Sequence, residues 1–313
     1  MRSMIRQLLP KPAVNQLKRW RTVYRTTIAG VRHASDYWTR HHVEIPGEGF
    51  RTVTQSLSHY KWRNQVNPGH IELMPVDDVS GRVVLDYGCG PGNDVIGFGH
   101  FSRPARLLAC DVSPTALAIA RARAAIHGIN AEFSQLQESP VVLPYENACI
   151  DVINTAGVLH HTPDPTAILR EFHRVLKPGG EVRIMVYNRD SIWMHLYLSY
   201  ILMIEQGQYR GMSPDEAFHL TTDGESCPIA RCYRPAEFMA VGREAGFDAS
   251  FHGAGMTIAE LEVLPRRWSA VQDRRLAEES RDFLYSLYLN DRGWPVHAGN
   301  VAGRNGYYRF HQR

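Results

Sequence analysis

The sequence predicts an α/β fold in which a mostly parallel sheet carries helices on its faces, and three stretches predict it. Val83-Val84-Leu85-Asp86 is a short buried strand that ends in an acid and opens into Gly88-x-Gly90-x-Gly92. Leu107-Leu108-Ala109-Cys110-Asp111 repeats that plan and runs into Ser113-Pro114, a helix-start signal. Ile150–Ala156 is a third such run, after which a helix over 165–176 stops at Lys177-Pro178-Gly179-Gly180 and a strand follows over 181–187. Strands alternating with helices in this way build parallel sheets.

The N-terminal stretch differs from the rest. Residues 1–35 hold eight Lys or Arg and no acid, although the whole 313-residue chain carries only +3. These charges alternate with Ile5, Leu8, Leu9, Leu17, Trp20, Tyr24 and Ile28. An amphipathic segment on an anionic membrane surface, an organellar presequence and a cap helix all fit that pattern. Pro10 and Pro12 interrupt a long helix and favour the cap. The surplus charge is small and confined to one end, which argues against a nucleic-acid partner. No run is long enough for a transmembrane helix. Five dispersed cysteines suit a reducing cytoplasm, and Cys227, Cys232 and His219 lack the spacing of a zinc ribbon. An aromatic region follows the basic stretch, with Tyr37, Trp38, Tyr60 and Trp62. It predicts a helical cap packed over the sheet, residues 1–79 forming the N-terminal segment and cap.

The glycine loop carries the first chemical information. Glycines at every second position let backbone, not side chain, face the carboxyl end of the strand, where open α/β sheets bind ligands. Dinucleotide-binding loops read G-x-G-x-x-G and brace a pyrophosphate on a helix N-terminus. Here the third glycine comes one residue early, and Asp86 stands where it would repel a phosphate. The arrangement favours a ligand with an ammonium group and a hydroxylated sugar. Asp111 lies 25 positions after Asp86, near the distance at which a second strand presents a carboxylate to a ribose diol.

Taken in order, these stretches resemble the class I S-adenosylmethionine (SAM)-dependent methyltransferases, in the type 11 branch that includes ubiquinone-biosynthesis enzymes. The resemblance rests on Asp86-x-Gly88-x-Gly90-x-Gly92, on Asp111, on Leu143-Pro144 and on Ile150–His161, and covers about residues 80–190. It implies a Rossmann-like sheet of seven strands, with SAM as the cofactor and a small or amphipathic molecule as the methyl acceptor on oxygen, nitrogen or carbon. The resemblance assigns SAM binding to Asp86, Gly88, Gly90, Gly92, Asp111, Val112, Thr155 and Ala156, with Leu136 and Gln137 at the adenine edge. Arg63 would meet the SAM carboxylate as a fork-shaped cation. Tyr37, Trp38 and Tyr60 would close over the sulfonium or the acceptor.

His160 and His161 follow the fourth strand, where the methyl group should lie. Of the two, His161 is the expected base, as in relatives with a similar Leu-His-His segment. Those relatives sometimes carry an acid inside the fifth strand. Val186 takes that position here, followed by Tyr187 and Asn188, which puts a His–Asp dyad with a strand-five acid in doubt. Tyr187 is the third catalytic candidate, ahead of Asp190 and His195. Residues 191–234, rich in aromatics, predict an acceptor lid with a helix over 192–205. Residues 235–313 predict the last part of the sheet, with helices near 257–264 and 267–288 and a final strand near 306–310. A SAM-binding protein without turnover is the alternative reading.

Overall fold

The computed structural model describes residues 34–41, 49–224 and 226–313. The basic stretch, with its membrane and presequence readings, lies almost wholly outside the described residues. Eleven strands are described: β1 (Val83–Tyr87), β2 (Arg106–Asp111), β3 (Glu132–Gln135), β4 (Ile150–Ala156), β5 (Leu176–Asn188), β6 (Cys232–Tyr233), β7 (Phe247–Gly255), β8 (Tyr288–Leu289), β9 (Pro295–His297), β10 (Asn300–Val301) and β11 (Asn305–Gln312). Seven of them lie side by side in the order β3-β2-β1-β4-β5-β11-β7, and the two-residue β6 joins the end of β5. β1 to β5 run parallel, whereas β11 is antiparallel to both β5 and β7. The order reverses at β1, where the chain first builds outward to β3 and then returns to β4. Such a switch point leaves a crevice at the carboxyl ends of β1 and β4.

Side-chain alternation along the strands fills both faces. Leu85, Ile153, Ile184 and Phe310 belong to one core with Phe172 and Phe238, and Val84, Leu107, Ala109 and Val152 to a second with Val95 and Phe98. The flanking helices begin where local chemistry sets them. Ser113 caps α5 (Pro114–Ile126) by accepting the Ala116 N–H, and Asp164 caps α6 (Pro165–Val175) by accepting that of Ala167. Before them come α1 (Ala34–Arg40), α2 (Val53–Val66), α3 (His70–Leu73) and α4 (Asn93–Phe101). A buried arginine fastens the cap to the core: Arg123 of α5 donates to Ser56 Oγ of α2 at 2.6 Å and to Asn93 Oδ1 at 2.6 Å, and stacks on Phe50. Tyr60 packs into the same core against Phe101. It is therefore part of the core, not a side chain closing over the ligand.

β5 begins at Leu176, so the expected helix stop at Lys177–Gly180 is already strand, with a register irregularity against β4 that accommodates it. The expected helix at 192–205 is a π-helix, α7 (Trp193–Glu205), with Ser199 Oγ donating to the Met194 carbonyl five residues back. It is buried on most sides. α8 (Pro214–Thr222) and α9 (Pro235–Glu244) follow. The long helix expected at 267–288 is broken into α11 (Arg267–Gln272) and α12 (Glu278–Ser286), after α10 (Ile258–Val263). Asp273 causes the break, because its side chain accepts the Arg275 N–H at 3.0 Å and turns the chain locally. α7, α10, α11 and α12 share a third apolar core containing Leu196, Ala270 and Phe283. Among the described residues no helix is long and apolar enough to cross a membrane.

Candidate active site

The glycine loop sits at the mouth of the crevice. Gly88, Gly90 and Gly92 all have positive φ, +69°, +50° and +83°, so the loop curls back under its own backbone. The three differ in what surrounds them. A Cβ on Gly88 would stand 2.3 Å from Val158 Cγ2, and one on Gly92 3.1 Å from Ala120 Cβ, whereas one on Gly90 would meet nothing within 4 Å. Gly88 and Gly92 therefore serve packing, and Gly90 faces open space.

Asp111, at the end of β2, braces that loop. Its Oδ2 accepts the Gly90 N–H and its Oδ1 the Ser113 N–H, both at 2.8 Å. Each oxygen keeps a second lone pair for a ligand hydroxyl. Burial raises the Asp111 pKa, against the pull of those amides. Val112, next in the chain, is half-buried. Leu136 packs on the core and donates its N–H to the Asp111 carbonyl, while Gln137 is exposed. Beside them Glu138 accepts from the N–H and hydroxyl of Ser35 in α1, bringing the cap over this edge.

Asp86, at the end of β1, is 3% exposed and accepts from Asn154 Nδ2 at 3.1 Å through Oδ1. Its Oδ2 is buried with no partner. Burial, and then the nearby Asp94 charge, push its pKa well up. Thr155 Oγ1 is likewise buried and unpaired, next to half-buried Ala156. Arg63 is placed differently from its expected role. Its guanidinium forms an ion pair with Asp94 and donates to His70 Nε2 at 3.0 Å. Its fork is directed to protein partners, so the expected contact with a SAM carboxylate is corrected to a structural one behind Asp86. His70 in turn meets the Tyr307 hydroxyl at 3.1 Å, and burial holds its pKa down at about 3.

On the other side of the crevice, the turn after β4 presents the two histidines in a single 3-10 turn, Leu159–His161. They have different surroundings. His160 is wholly buried between the His161 and Tyr187 rings, 4.0 Å from each centroid, and neither ring nitrogen has a partner. Burial, and then the neighbouring His161, push its pKa well down. His161 has what a base needs. Its Nδ1 donates to the Ile229 carbonyl at 2.7 Å, which orients the ring and leaves Nε2 to take a proton. Asp223 Oδ2 lies 3.7 Å from Nε2, Cys227 Sγ lies 3.8 Å from Nδ1, and Trp38 of the cap covers the ring edge-on at 4.9 Å.

Asp223 was not foreseen as a site residue. The turn Thr221-Thr222-Asp223-Gly224 is legible, but its proximity to His161 is not, because 62 residues separate the two. The carboxylate near His161 comes from the insertion; strand five, where Val186 stands, supplies none. Tyr187 donates to both oxygens of Asp223 at 3.1 Å, and Tyr37 donates to the Asp223 carbonyl. Burial, and then the Asp223 charge, hold the Tyr187 phenol well above its ordinary pKa. Tyr187 therefore fixes the acid and is not itself a base. The two weaker candidates lie elsewhere. His195 is buried against Phe283 and bonds Ser280 Oγ at 3.0 Å, and Asp190 pairs with Arg234 at 3.7 Å.

A methyltransferase-domain family model matches residues 84–180, the stretch from β1 into β5. The domain match and the relatives below support SAM-dependent methyl transfer by this chain. It is 26% identical over 194 residues to a ubiquinone biosynthesis O-methyltransferase of Pseudomonas aeruginosa, covering 61% of this chain and 75% of that one. A second ubiquinone biosynthesis O-methyltransferase, from Pseudomonas syringae, is 26% identical over 192 residues, 60% of this chain and 75% of its own. Among solved structures, a SAM-dependent methyltransferase from Thermotoga maritima, described as a possible histamine N-methyltransferase, aligns at TM-score 0.49 and 15% identity over 90% of this chain and all of that one.

The methyltransferase has the groups its cofactor requires. The space above Gly90 is open, Asp111 offers two lone pairs to a diol, and the unpaired Asp86 Oδ2 is an acceptor for an ammonium group. A bound cation beside Asp86 would draw its carboxyl into the charged form that burial disfavours.

Proposed function

We propose that this methyltransferase acts on a hydroxyl of a small or amphipathic acceptor, with His161 as general base. The observation that carries the reading is the His161 ring held at Nδ1 by the Ile229 carbonyl with Asp223 beside Nε2. SAM supplies an electrophilic methyl group on a sulfonium, so positioning of the two reactants carries most of the rate. A hydroxyl is a poor nucleophile until its proton is taken, and a base at the methyl end of the crevice meets that need. His161 Nε2 takes the proton, Asp223 faces the resulting positive ring, and Tyr187 holds Asp223 in place. His160 and Trp38 pack the imidazole and keep water from it.

SAM contacts are proposed for Asp86, Gly88, Gly90, Gly92, Asp111, Val112, Leu136, Gln137, Thr155 and Ala156. Residues 80–190 form the cofactor core in this reading, 191–234 the acceptor lid, and 235–313 complete the sheet. The Pseudomonas relatives are named as O-methyltransferases, which supports oxygen as the acceptor atom. Five free cysteines fit a cytoplasmic site of action.

The test is S-adenosylhomocysteine release from SAM in the presence of hydroxylated acceptors such as catechols. His161→Ala should lower kcat by roughly 100- to 10,000-fold and leave the affinity for SAM unchanged. Full turnover in that variant, or transfer to amines alone, would remove His161 from the proposed role.

A further inference from the structure

Arg304, beside this site, has no ion-pair partner among the described residues. Arg304 precedes β11, and its guanidinium lies over two aromatic faces, 4.5 Å from the Trp193 centroid and 5.2 Å from that of Tyr187. Among the described residues no carboxylate comes within ion-pair distance of it, and its Nε is buried without a partner. Three neighbouring arginines are paired with carboxylates: Arg183 with Asp78 and Glu181, Arg189 with Asp215 and Glu279, and Arg309 with Glu181. Glu260 feels the Arg304 charge and accepts from the Arg304 backbone N–H, but its other bonds go to the N–H groups of Trp193 and Thr257 and to the Thr257 hydroxyl, not to the guanidinium.

Stacking between two ring faces fixes the plane of a guanidinium and leaves its N–H edge for a flat, bidentate acceptor. The Tyr187 ring that carries Arg304 on one side packs against His160 and bonds the Asp223 carboxylate. Arg304 is thus one aromatic ring from the dyad, on the side of the lid helix α7 that supplies Trp193.

We propose that Arg304 recognises a carboxylate on the acceptor, so that the substrate is a hydroxylated acid, not a neutral alcohol or phenol. This rests on the acceptor reading above for the location of the pocket. Arg304 is half-buried, and its Nε, buried among the rings without a partner, is costly to keep. A ligand carboxylate offsets that cost and orients the hydroxyl toward His161, whereas an uncharged analogue leaves the N–H edge unsatisfied.

The experiment is equilibrium binding to protein saturated with S-adenosylhomocysteine, read by calorimetry and by tryptophan fluorescence, with 3,4-dihydroxybenzoate and catechol as matched probes. The wild type should bind the acid at least tenfold more tightly than catechol. Arg304→Gln should abolish that preference while keeping its affinity for S-adenosylhomocysteine, and Arg304→Lys should retain part of it. The exposed Arg170→Gln should change nothing.

A wild type that binds the acid no better than catechol, binding of neither probe included, overturns the proposal. Equal weakening of both probes in Arg304→Gln also overturns it, as expected for a merely structural arginine. Tenfold loss of S-adenosylhomocysteine affinity in that variant would place Arg304 on the cofactor side and overturn it as well. Binding is read without turnover, so the two readings fail separately. Arg304-dependent acid binding without methyl transfer would sink only the hydroxyl-methylation reading, and catechol turnover without acid preference only this one.

Discussion

The two sides of the crevice are built on opposite plans. The cofactor side is local: Asp86 through Asp94 is one strand, one loop and one helix start, and Asp111 reaches it from the adjacent strand through Gly90. The proposed acceptor side is assembled from distant segments, with Trp38 from the cap, His161 after β4, Tyr187 at the end of β5, Asp223 and Ile229 from the insertion and Arg304 before β11. A local site depends on backbone conformation, so its residue types are constrained at fixed spacing. An assembled site depends on packing, and its members can be supplied by any segment that reaches the crevice.

Substitutions on each side should separate these plans. On the cofactor side, Asp111→Ala should give the largest change, weakening SAM by about 100-fold in calorimetry, because ribose hydrogen bonding to a charged acceptor is lost. Retained SAM affinity in that variant would remove Asp111 from the cofactor side. Gly88→Ala and Gly90→Ala sharpen the contrast within one loop. The first drives a methyl group into Val158 and should cost about 2–3 kcal/mol of folding stability in urea unfolding. The second should cost only about 1 kcal/mol of backbone strain, with its main effect on SAM affinity. Equal stability losses would show that both glycines serve folding alone.

Acid should strain both sides in parallel. His70, behind the cofactor side, and His195, in the lid helix, are each held by burial at a pKa of about 3 in the folded protein. The unfolded chain protonates them near pH 6.5, so their contribution is full above that pH and is lost as pH falls toward 3. Stability should drop by about 2 kcal/mol for each between pH 7 and pH 5. A His195→Gln variant should show a smaller drop than wild type, and an unchanged drop would contradict this assignment. On the acceptor side, a smaller effect than that of His161→Ala is expected from Asp223→Asn. It should lower kcat by about tenfold and leave SAM binding untouched, since it removes only the charge facing the His161 ring. A loss of SAM affinity there would mean that the two sides are not separable.

Much of the fold was legible because its signals are local. Apolar runs ended by acids, Ser113-Pro114, Asp164-Pro165 and the glycine turn each act within a few residues, and the strands form where they predict. Misreadings came from competition with tertiary contacts. Arg63 looks like an unpaired cation in sequence, yet α2 packs it onto Asp94. Tyr60 looks like a ligand-facing aromatic and is core. His160 and His161 are adjacent and chemically identical in sequence, and only packing distinguishes the buried wedge from the hydrogen-bonded base.

The sequence by itself determined the sheet and the cofactor end, because positive φ, close backbone approach and a carboxylate at a strand terminus demand particular residues at particular spacing. Tertiary structure alone decided the acceptor end. Asp223 meets His161 and Arg304 meets Tyr187 across 62 and 117 residues of chain. No local pattern encodes these contacts, because they form only when the insertion and the last strand pack over the same crevice.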